Sequence, residues 1–191
     1  MSSGNGIIDT EKGNSTMKRM IVVLAVFIAL VIGTATSYGG IGIGTREVSA
    51  FGALTRTSYG SFDDTDLTIG LTANYFVTDV VSIGATVIGS MYKPDGGDTS
   101  AAIYYLGRSD YYFVSPGQDL IPYVGGRLGF ISFEGSGDSE VEFVYGFQGG
   151  GKLFLQENTS LNGELSYTRY EVRNTSTDVI QFTIGFSLYF Q

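Results

Sequence analysis

The sequence predicts an all-β protein, an eight-stranded antiparallel up-and-down transmembrane β-barrel preceded by a signal peptide. The strongest observation is the last segment, Asp178 to Gln191, in which large apolar side chains alternate with small or polar ones from Ile180 onward. Period two is the repeat of a β-strand, and two such different faces indicate lipid on one side and a polar interior on the other. Composition agrees, since 28 Gly, 13 Tyr and 13 Phe accompany 3 Pro, no Trp and only 16% charged residues. This composition is typical of closely packed strands rather than of a helical enzyme.

The beginning of the chain carries the features of an export signal. Lys18 and Arg19 precede an apolar run from Met20 to Ile32, and small residues follow up to Ser37. This is the layout of a secretory signal peptide, and we expect cleavage after Ser37. A transmembrane anchor is the alternative, but the run is shorter than the roughly 20 residues that a bilayer-spanning helix needs.

The export signal divides the chain into two parts. Met17 stands directly before the basic pair, so translation starts either at Met1 or at Met17. Residues 1–37 are assigned to the leader and signal peptide, and residues 38–191 to the barrel. The barrel part provides about 19 residues for each strand with its connection, which is enough for the roughly 9 to 11 that a tilted transmembrane strand needs.

Three strands are predicted in the first part of the barrel. Residues 47–57 alternate weakly, because many of their side chains are small, and a polar stretch at 58–66 closes this strand. Residues 67–76 alternate clearly, with aliphatic side chains and Tyr opposite Thr, Gly and Asn. After a turn at 78–80, residues 82–91 again separate a mainly apolar face from a face of Ser, Gly and Thr. All three fit strands with one lipid-facing and one interior face.

The other five strands are separated by turn-forming sequences rich in Pro, Gly, Asp and Asn. The turns and loops are predicted at 93–100, 115–119, 134–140, 156–159 and 173–178. Between them the strands are predicted at 101–113, 123–131, 141–155, 161–171 and 178–191. Each strand repeats the alternation, so each is long enough and amphipathic enough to cross a membrane.

The connections predict the orientation of the barrel. Those after the second, fourth and sixth strands are short, whereas those after the odd-numbered strands are richer in Asp, Gly and Ser. Short periplasmic turns and longer outside loops are typical of outer-membrane barrels. An even number of strands then places both ends of the barrel on the periplasmic side. The closing strand is expected to pair with the first strand near Val48 to Leu54.

Two groups of residues carry a resemblance to a known family. The second strand ends in Tyr75-Phe-Val-Thr-Asp79, with Ser82-Ile-Gly84 beyond it. The closing strand carries a polar residue, a glycine and two hydrophobic residues in a spacing similar to a C-terminal assembly signal, namely Thr183, Gly185, Leu188 and Phe190. The barrel part resembles the porin-like, eight-stranded outer-membrane β-barrels of the OmpA/OmpX kind. Gln191 departs from this pattern, because such signals normally end on the aromatic residue.

The resemblance implies a location and partners. A protein of this family lies in the outer membrane of a Gram-negative bacterium, in contact with membrane lipid and lipopolysaccharide. The resemblance also implies insertion by the barrel-assembly machinery. Eight-stranded barrels of this kind are expected to be monomers.

Catalysis and cofactors find little support in the sequence. The chain contains no His and no Cys, which removes the commonest general base and the thiolate nucleophile. Gly146 to Lys152 approaches a P-loop, but Leu153 stands where Mg²⁺ coordination needs Ser or Thr. We therefore expect a non-enzymatic protein without a cofactor, although a Ser-Lys or paired-carboxylate site stays open as an alternative.

The charge of the chain bears on its partners. The formal net charge is −8 and no cluster of Lys and Arg is present, which argues against a nucleic-acid partner. Acidic runs at 63–66, 95–98 and 138–140 lack the spacing of an EF-hand loop, so no metal site is assigned to them. They are interpreted as solvated outside loops, and any cation they bind would bridge to lipopolysaccharide.

Seven charged residues fall on the interior faces of the predicted strands. They are Glu47, Arg108, Asp110, Arg127, Glu142, Lys152 and Glu164. Because a buried charge is costly unless it is paired, these residues are expected to form an internal network with Arg108 and Arg127 as its cationic centres. An eight-stranded barrel has an interior just wide enough for side chains, so this network is expected to plug the lumen.

A structural or surface-interaction role follows from a plugged lumen. The protein is expected to support envelope integrity or to bind a host or surface ligand through its outside loops. The first alternative is a narrow channel or carrier for small or hydrophobic solutes. The second alternative is a soluble periplasmic β-barrel of the lipocalin type.

Overall fold

The structure, a computed structural model, describes residues 40–59, 62–93, 100–134, 140–172 and 175–191. The predicted leader, residues 1–37, lies outside the described residues. The described ranges contain no helix that is long and apolar enough to cross a membrane. They form eight strands, which are β1 Arg46–Tyr59, β2 Phe62–Phe76, β3 Val81–Lys93, β4 Ser100–Tyr112, β5 Leu120–Glu134, β6 Glu140–Gln156, β7 Thr159–Val172 and β8 Thr175–Phe190.

The eight strands close into one antiparallel barrel in which every strand pairs with its neighbours in sequence. β8 pairs with β1 from Arg46 opposite Phe190 to Gly52 opposite Ile184. This closure confirms the predicted fold class, the number of strands and the pairing of the last strand with the first. Backbone N–H and C=O groups in a closed barrel bond to one another along every strand, which is what a non-aqueous environment requires.

The two ends of the barrel differ. We call the end at which β1 begins and β8 ends the terminus rim, and the opposite end the far rim. The segment Gly40–Thr45 crosses the terminus rim. The Gly40 amide donates to the Glu157 carbonyl at 2.7 Å, and the Gly44 amide donates to the Phe76 carbonyl at 2.9 Å. This segment therefore lies across the barrel end and is held by backbone hydrogen bonds on two sides.

The strands extend further toward the far rim than predicted. β1 continues to Tyr59 and β2 begins at Phe62, so the predicted loop at 58–66 is largely paired strand. β8 begins at Thr175, inside the loop predicted at 173–178. The expectation of long connections at this rim was therefore wrong for the β1–β2 and β7–β8 hairpins. Apolar alternation marks only the lipid-facing part of a strand, whereas backbone pairing continues among polar residues beyond it.

The connection between β4 and β5 also differs from the prediction. It was expected to be a short turn, but seven residues, 113–119, separate Tyr112 from Leu120. Its turn is formed at the predicted Pro-Gly sequence, where the Gln118 amide donates to the Ser115 carbonyl at 3.3 Å. Gly117 has a φ of 75°, in the left-handed region that favours glycine. A short length is thus not a general property of the connections at the terminus rim.

Large apolar side chains cover the outside of the barrel. On β8 they occupy every second position from Ile180 to Phe190, and their exposure falls from 75% at Ile180 to 40% at Leu188. At about 3.4 Å per residue and a tilt of about 40°, the stretch from Ile180 to Phe190 spans about 26 Å, close to the roughly 25 Å apolar band of outer-membrane barrels. A water-soluble protein rarely exposes so large an apolar surface, so the lipocalin-type alternative does not fit.

An exposed ion pair marks the far-rim end of this apolar band. Arg169 donates to the Asp178 carboxylate through Nε at 2.7 Å and through Nη2 at 2.8 Å, and the Tyr167 hydroxyl donates to the same carboxylate at 2.6 Å. The ring of Phe147 stacks on Tyr167, with centroids 5.0 Å apart. Charged and aromatic side chains at this level are typical of the boundary between lipid and water.

The interior of the barrel is filled in three layers. The layer at the terminus rim is an aromatic cluster of Phe76, Tyr112, Ile121, Tyr123 and Tyr189, against which Ile41 of the crossing segment packs. The layer toward the far rim is an apolar cluster of Ile88, Leu106, Ile131 and Val144. Between these two layers lie most of the interior charges.

Candidate functional site in the barrel interior

Five interior side chains form a closed ring of ion pairs and hydrogen bonds, which we call the charge ring. Arg108 donates from Nε to Asp110 at 2.7 Å and from Nη2 to Glu164 at 2.9 Å. Arg127 donates from Nη2 to Glu164 at 3.0 Å and from Nε to Gln148 at 2.9 Å. Gln148 donates from Nε2 to Asp110 at 2.7 Å and so closes the ring. Its two guanidinium and two carboxylate groups balance in charge.

The strand register explains why these side chains meet. Arg108 and Asp110 are two residues apart on β4, so both face the interior. Arg127 on β5 lies directly opposite Arg108. Like charges in that position repel, so the pair needs carboxylates nearby. Glu164 on β7 reaches across the interior and accepts hydrogen bonds from both arginines.

A glycine makes room for the charge ring. Gly125 on β5 lies opposite Asp110. A Cβ atom at Gly125 would lie 2.1 Å from Asp110 Oδ1 and 2.8 Å from Gln148 Nε2, and 2.4 Å from the backbone oxygen of Ser109. These distances are far below van der Waals contact, so the Asp110 to Gln148 hydrogen bond occupies space that any other residue would fill.

A second group of polar side chains surrounds Glu47, and we call it the Glu47 group. The Glu47 side chain is completely buried. Its Oε1 accepts hydrogen bonds from Ser187 at 2.6 Å and Ser49 at 2.7 Å, and its Oε2 accepts one from Asn74 Nδ2 at 3.1 Å. Lys152 forms an ion pair with the same carboxylate. A buried carboxylate with one cation and three further donors is well satisfied.

Lys152 also connects the charged layer to the aromatic layer. Its Nζ lies 5.4 Å from the ring centroid of Tyr123 and 5.9 Å from those of Tyr112 and Tyr189. Ammonium groups within about 6 Å of an aromatic face are stabilised by the ring quadrupole. Tyr123 in turn donates its hydroxyl to Glu164 at 2.8 Å. The charge ring, the Glu47 group and the aromatic cluster are therefore one continuous assembly.

Little space remains between the two charged groups. A cavity of about 30 Å³ lies among them, lined in part by Asn74, Arg108, Lys152 and Glu164. Asn74 Oδ1 is buried without a hydrogen-bond donor in the described part of the chain. A cavity of this size has room for one or two water molecules, and a water molecule there would satisfy Asn74. Solutes larger than water do not fit into this space.

Comparison with known proteins identifies solved structures that share the fold of this barrel. No protein-family model matches the chain, and no curated protein sequence matches it. Solved structures do match. Neisserial surface protein A is 17% identical, with a TM-score of 0.57, and the match covers 98% of that chain and 76% of this one. OprG of Pseudomonas aeruginosa is 14% identical, with a TM-score of 0.55, and the match covers 99% of that chain and 81% of this one.

The N-terminal β-barrel domain of Pseudomonas aeruginosa OprF is a third match, 19% identical, with a TM-score of 0.54 and coverage of 99% of that chain and 78% of this one. The chain has the fold of the eight-stranded outer-membrane β-barrels. This confirms the predicted resemblance, and the fold is that of barrels from the outer membrane of Gram-negative bacteria. At these identities the likeness concerns the fold alone.

Six of the seven charges predicted to form the interior network lie in the two groups described above. Glu142 does not. It lies on β6 six residues from Gln148 toward the far rim, about 20 Å along the strand at about 3.4 Å per residue. Among the described residues it has no ion pair. Alternation along a strand predicts the face of a side chain but not its level in the barrel, which is why Glu142 was grouped with the others.

Several members of the two groups carry no formal charge, so a prediction from charged residues alone does not include them. Gln148 closes the charge ring, and Tyr123 joins it to the aromatic cluster. Ser49, Asn74 and Ser187 complete the shell of Glu47. Their interior position follows from strand alternation, but neutral residues on the same face are numerous. Only the register identifies those that touch a charge.

The motifs noted in the sequence lie on strands of the barrel. Gly146 to Lys152 belongs to β6, and Lys152 faces Glu47 rather than a phosphate site. In the closing strand, Thr183 faces the interior and Leu188 faces outward. The described residues contain no group of three or more His, Cys, Asp or Glu that could hold a metal ion. The acidic runs at 63–66, 95–98 and 138–140 fall largely outside the described side chains.

A second and larger cavity lies inside the barrel toward the far rim, and we call it the upper cavity. Its volume is about 270 Å³. Aromatic and aliphatic side chains form one part of its wall, and Asp66, Arg127 and several hydroxyl and amide groups form the rest. The aromatic part consists of Tyr104, Phe133 and Tyr170.

Proposed function

We propose that this protein resides in the outer membrane as a non-enzymatic barrel with a structural or surface-interaction role. The observation that carries the proposal is the middle layer of the interior, where the charge ring and the Glu47 group leave a cavity of only about 30 Å³. A lumen filled in this way does not pass solutes. The loops at the far rim then remain as the part of the barrel that meets host or surface ligands.

The energetics of the middle layer support a plug. Asp110 and Glu47 have side chains with no exposed surface, and the side chain of Arg108 is only 9% exposed. Breaking a buried pair by removing one partner costs about 3–5 kcal/mol, because the other charge is left uncompensated. Opening a path through this layer would require several such separations together. A closed state is therefore strongly favoured.

Conductance of the refolded full chain in planar lipid bilayers tests the plug. We expect no steady openings for the wild-type protein, because the middle layer has room for only one or two water molecules. Arg127→Ala removes a long side chain from the charge ring and is expected to produce openings. Arg169→Ala removes an arginine from the outer surface and serves as the matched control. Steady openings of the wild type that Arg127→Ala abolishes would contradict the plug.

The second candidate function is a narrow channel or carrier for small or hydrophobic solutes. The upper cavity favours it, because an interior space of about 270 Å³ can hold a small molecule. Uptake into proteoliposomes decides between the two functions. Entry of small sugars or aromatic compounds at rates above those of protein-free liposomes would support the carrier and count against the plug.

Membrane residence is tested by fractionation. The protein is expected to float with outer-membrane vesicles and to change its gel mobility on heating, as a folded barrel does when its strands separate. On the gel it is expected to migrate as a monomer. In the membrane it is expected to contact lipid and lipopolysaccharide. Recovery of the protein from the soluble periplasmic fraction would contradict this location.

Recognition by the barrel-assembly machinery is proposed to involve Thr183, Gly185, Leu188 and Phe190. If the terminal aromatic residue must be the last residue, deletion of Gln191 will speed assembly into proteoliposomes that contain the machinery. An unchanged rate would show that Phe190 is recognised where it stands. Phe190→Ala is the matched variant, and assembly at the wild-type rate by that variant would remove Phe190 from the signal.

A further inference from the structure

We propose that the upper cavity is a binding site for a small organic cation, such as an alkylated ammonium compound. The cavity combines three aromatic rings with a carboxylate that has no cationic partner among the described residues. This inference depends on the barrel fold but not on whether the lumen conducts. Binding of the cation in the upper cavity and passage of the cation through the lumen are two different properties, and they are measured separately.

The aromatic side of the upper cavity is formed by rings that contact one another. The centroids of Tyr104 and Tyr170 are 6.5 Å apart with the rings nearly perpendicular, and those of Phe133 and Tyr170 are 5.8 Å apart. They come from three strands, β4, β5 and β7, and line the same cavity. Several ring faces around one space are the arrangement that binds quaternary ammonium groups through cation–π attraction.

Asp66 supplies the negative charge of the upper cavity. It lies on β2 and lines the same cavity as the rings, and its Oδ1 accepts a hydrogen bond from Ser90 at 2.9 Å. In the described part of the chain no Lys or Arg side chain pairs with it. Ser90 is its one hydrogen-bond donor among the described residues, and a carboxylate offers further acceptor sites to a ligand.

Arg127 also reaches the upper cavity, but its charge is already balanced. Glu164 accepts from Arg127 Nη2 at 3.0 Å, and Gln148 accepts from Arg127 Nε at 2.9 Å. Among the described side chains of this wall, Asp66 is the one charged group without a partner of opposite charge, and it is acidic. This charge balance favours a cation over an anion as the ligand.

The lining and the volume indicate an organic cation rather than a metal ion. Hard metal ions need six or more oxygen ligands, whereas much of this wall is carbon, including Leu106 and Ile88. Drug-sized ligands occupy pockets of about 300–1,000 Å³, so a cavity of 270 Å³ suits a smaller molecule. An ammonium group with methyl substituents meets both conditions, because its charge is spread over an apolar surface.

Three probes of the same shape test the sign of the charge. Choline, its neutral isostere 3,3-dimethyl-1-butanol and the anion 3,3-dimethylbutanoate are titrated by calorimetry into the refolded full chain in a nonionic detergent. We expect choline to bind at least about tenfold more tightly than either of the others. Equal binding of choline and the neutral alcohol would overturn the proposal, since the cavity would then be merely apolar. Tighter binding of the anion would overturn it in favour of Arg127.

Variants locate the site. Asp66→Asn is expected to weaken choline binding at least about tenfold, and Tyr170→Leu to weaken it several-fold with little effect on the neutral alcohol. Asp119→Asn removes an exposed carboxylate at the terminus rim and should bind choline like the wild type. Heat-dependent gel mobility establishes that each variant is folded. Wild-type affinity in folded Asp66→Asn would place the cation elsewhere and overturn the proposal, whether or not the lumen conducts.

Discussion

The barrel contains ion pairs of the same geometry in two different environments. In the charge ring, Arg108 lies 2.7 Å from Asp110, and the side chains are 9% and 0% exposed. On the outer surface, Arg169 also lies 2.7 Å from Asp178, but the side chains are 40% and 46% exposed. The distance between the charged atoms is the same, and only access to solvent differs. Distance alone therefore does not predict what either pair contributes.

The difference lies in what remains when one partner is removed. Water and salt ions replace the lost partner of an exposed charge, so an exposed pair adds little to stability. A buried charge has no such replacement, and the cost of its desolvation falls on the folded state. We expect variants of the interior to change stability strongly and variants of the outer pair to change it hardly at all.

The largest effect is expected for Lys152→Met. This variant leaves the buried Glu47 carboxylate without its cation, so the free energy of unfolding should fall by about 3–5 kcal/mol. Urea unfolding of the refolded barrel in lipid vesicles measures it. Glu47→Gln combined with Lys152→Met removes both charges and should regain part of the loss. If Lys152→Met is as stable as the wild type, bulk water reaches Glu47 and the middle layer does not close the lumen.

A smaller effect is expected for Gly125→Ala. Its Cβ would lie 2.1 Å from Asp110 Oδ1, so the ring must shift, at a cost of about 1–3 kcal/mol for overpacking. The neighbour Gly126 is the matched control, because a Cβ there meets its nearest atom at 3.9 Å. The same unfolding measurement should separate the two variants. Equal stability of Gly125→Ala and Gly126→Ala would show that the charge ring tolerates displacement.

The smallest effect is expected for Arg169→Ala. The variant breaks an ion pair with hydrogen bonds at 2.7 and 2.8 Å, yet the urea midpoint should not change measurably, because both partners are exposed. Unfolding is also measured at low and at high salt. Because the exposed pair adds little to stability, the difference in urea midpoint between the variant and the wild type should stay near zero at both salt concentrations. A clear loss of stability would mean that lipid, rather than water, surrounds this pair.

Much of the architecture was predictable because side chains alternate along a strand with a period of two residues. Leu67 and Thr68 must face opposite sides of the sheet in any strand pairing, and the same holds for Phe182 and Thr183. The side chains predicted to face the interior therefore do so in the structure. The ends of the strands were less predictable, since the backbone remains paired to Tyr59 in β1 and from Thr175 in β8, beyond the apolar alternation of the sequence.

Alternation along each strand was determined by the sequence alone, and with it the number of strands, the closed barrel and the division into a lipid face and a polar interior. The tertiary structure decided which interior residues meet. Lys152 and Glu47 are 105 residues apart, and Arg108 and Glu164 are 56 apart, on strands that are not neighbours. Their contact depends on the stagger of eight strands around a closed circle, which sets the level of each side chain. The period of two contains no information about the height of a side chain along the barrel axis. Glu142 therefore faces the interior like the charge ring but lies too far along the barrel to contact it.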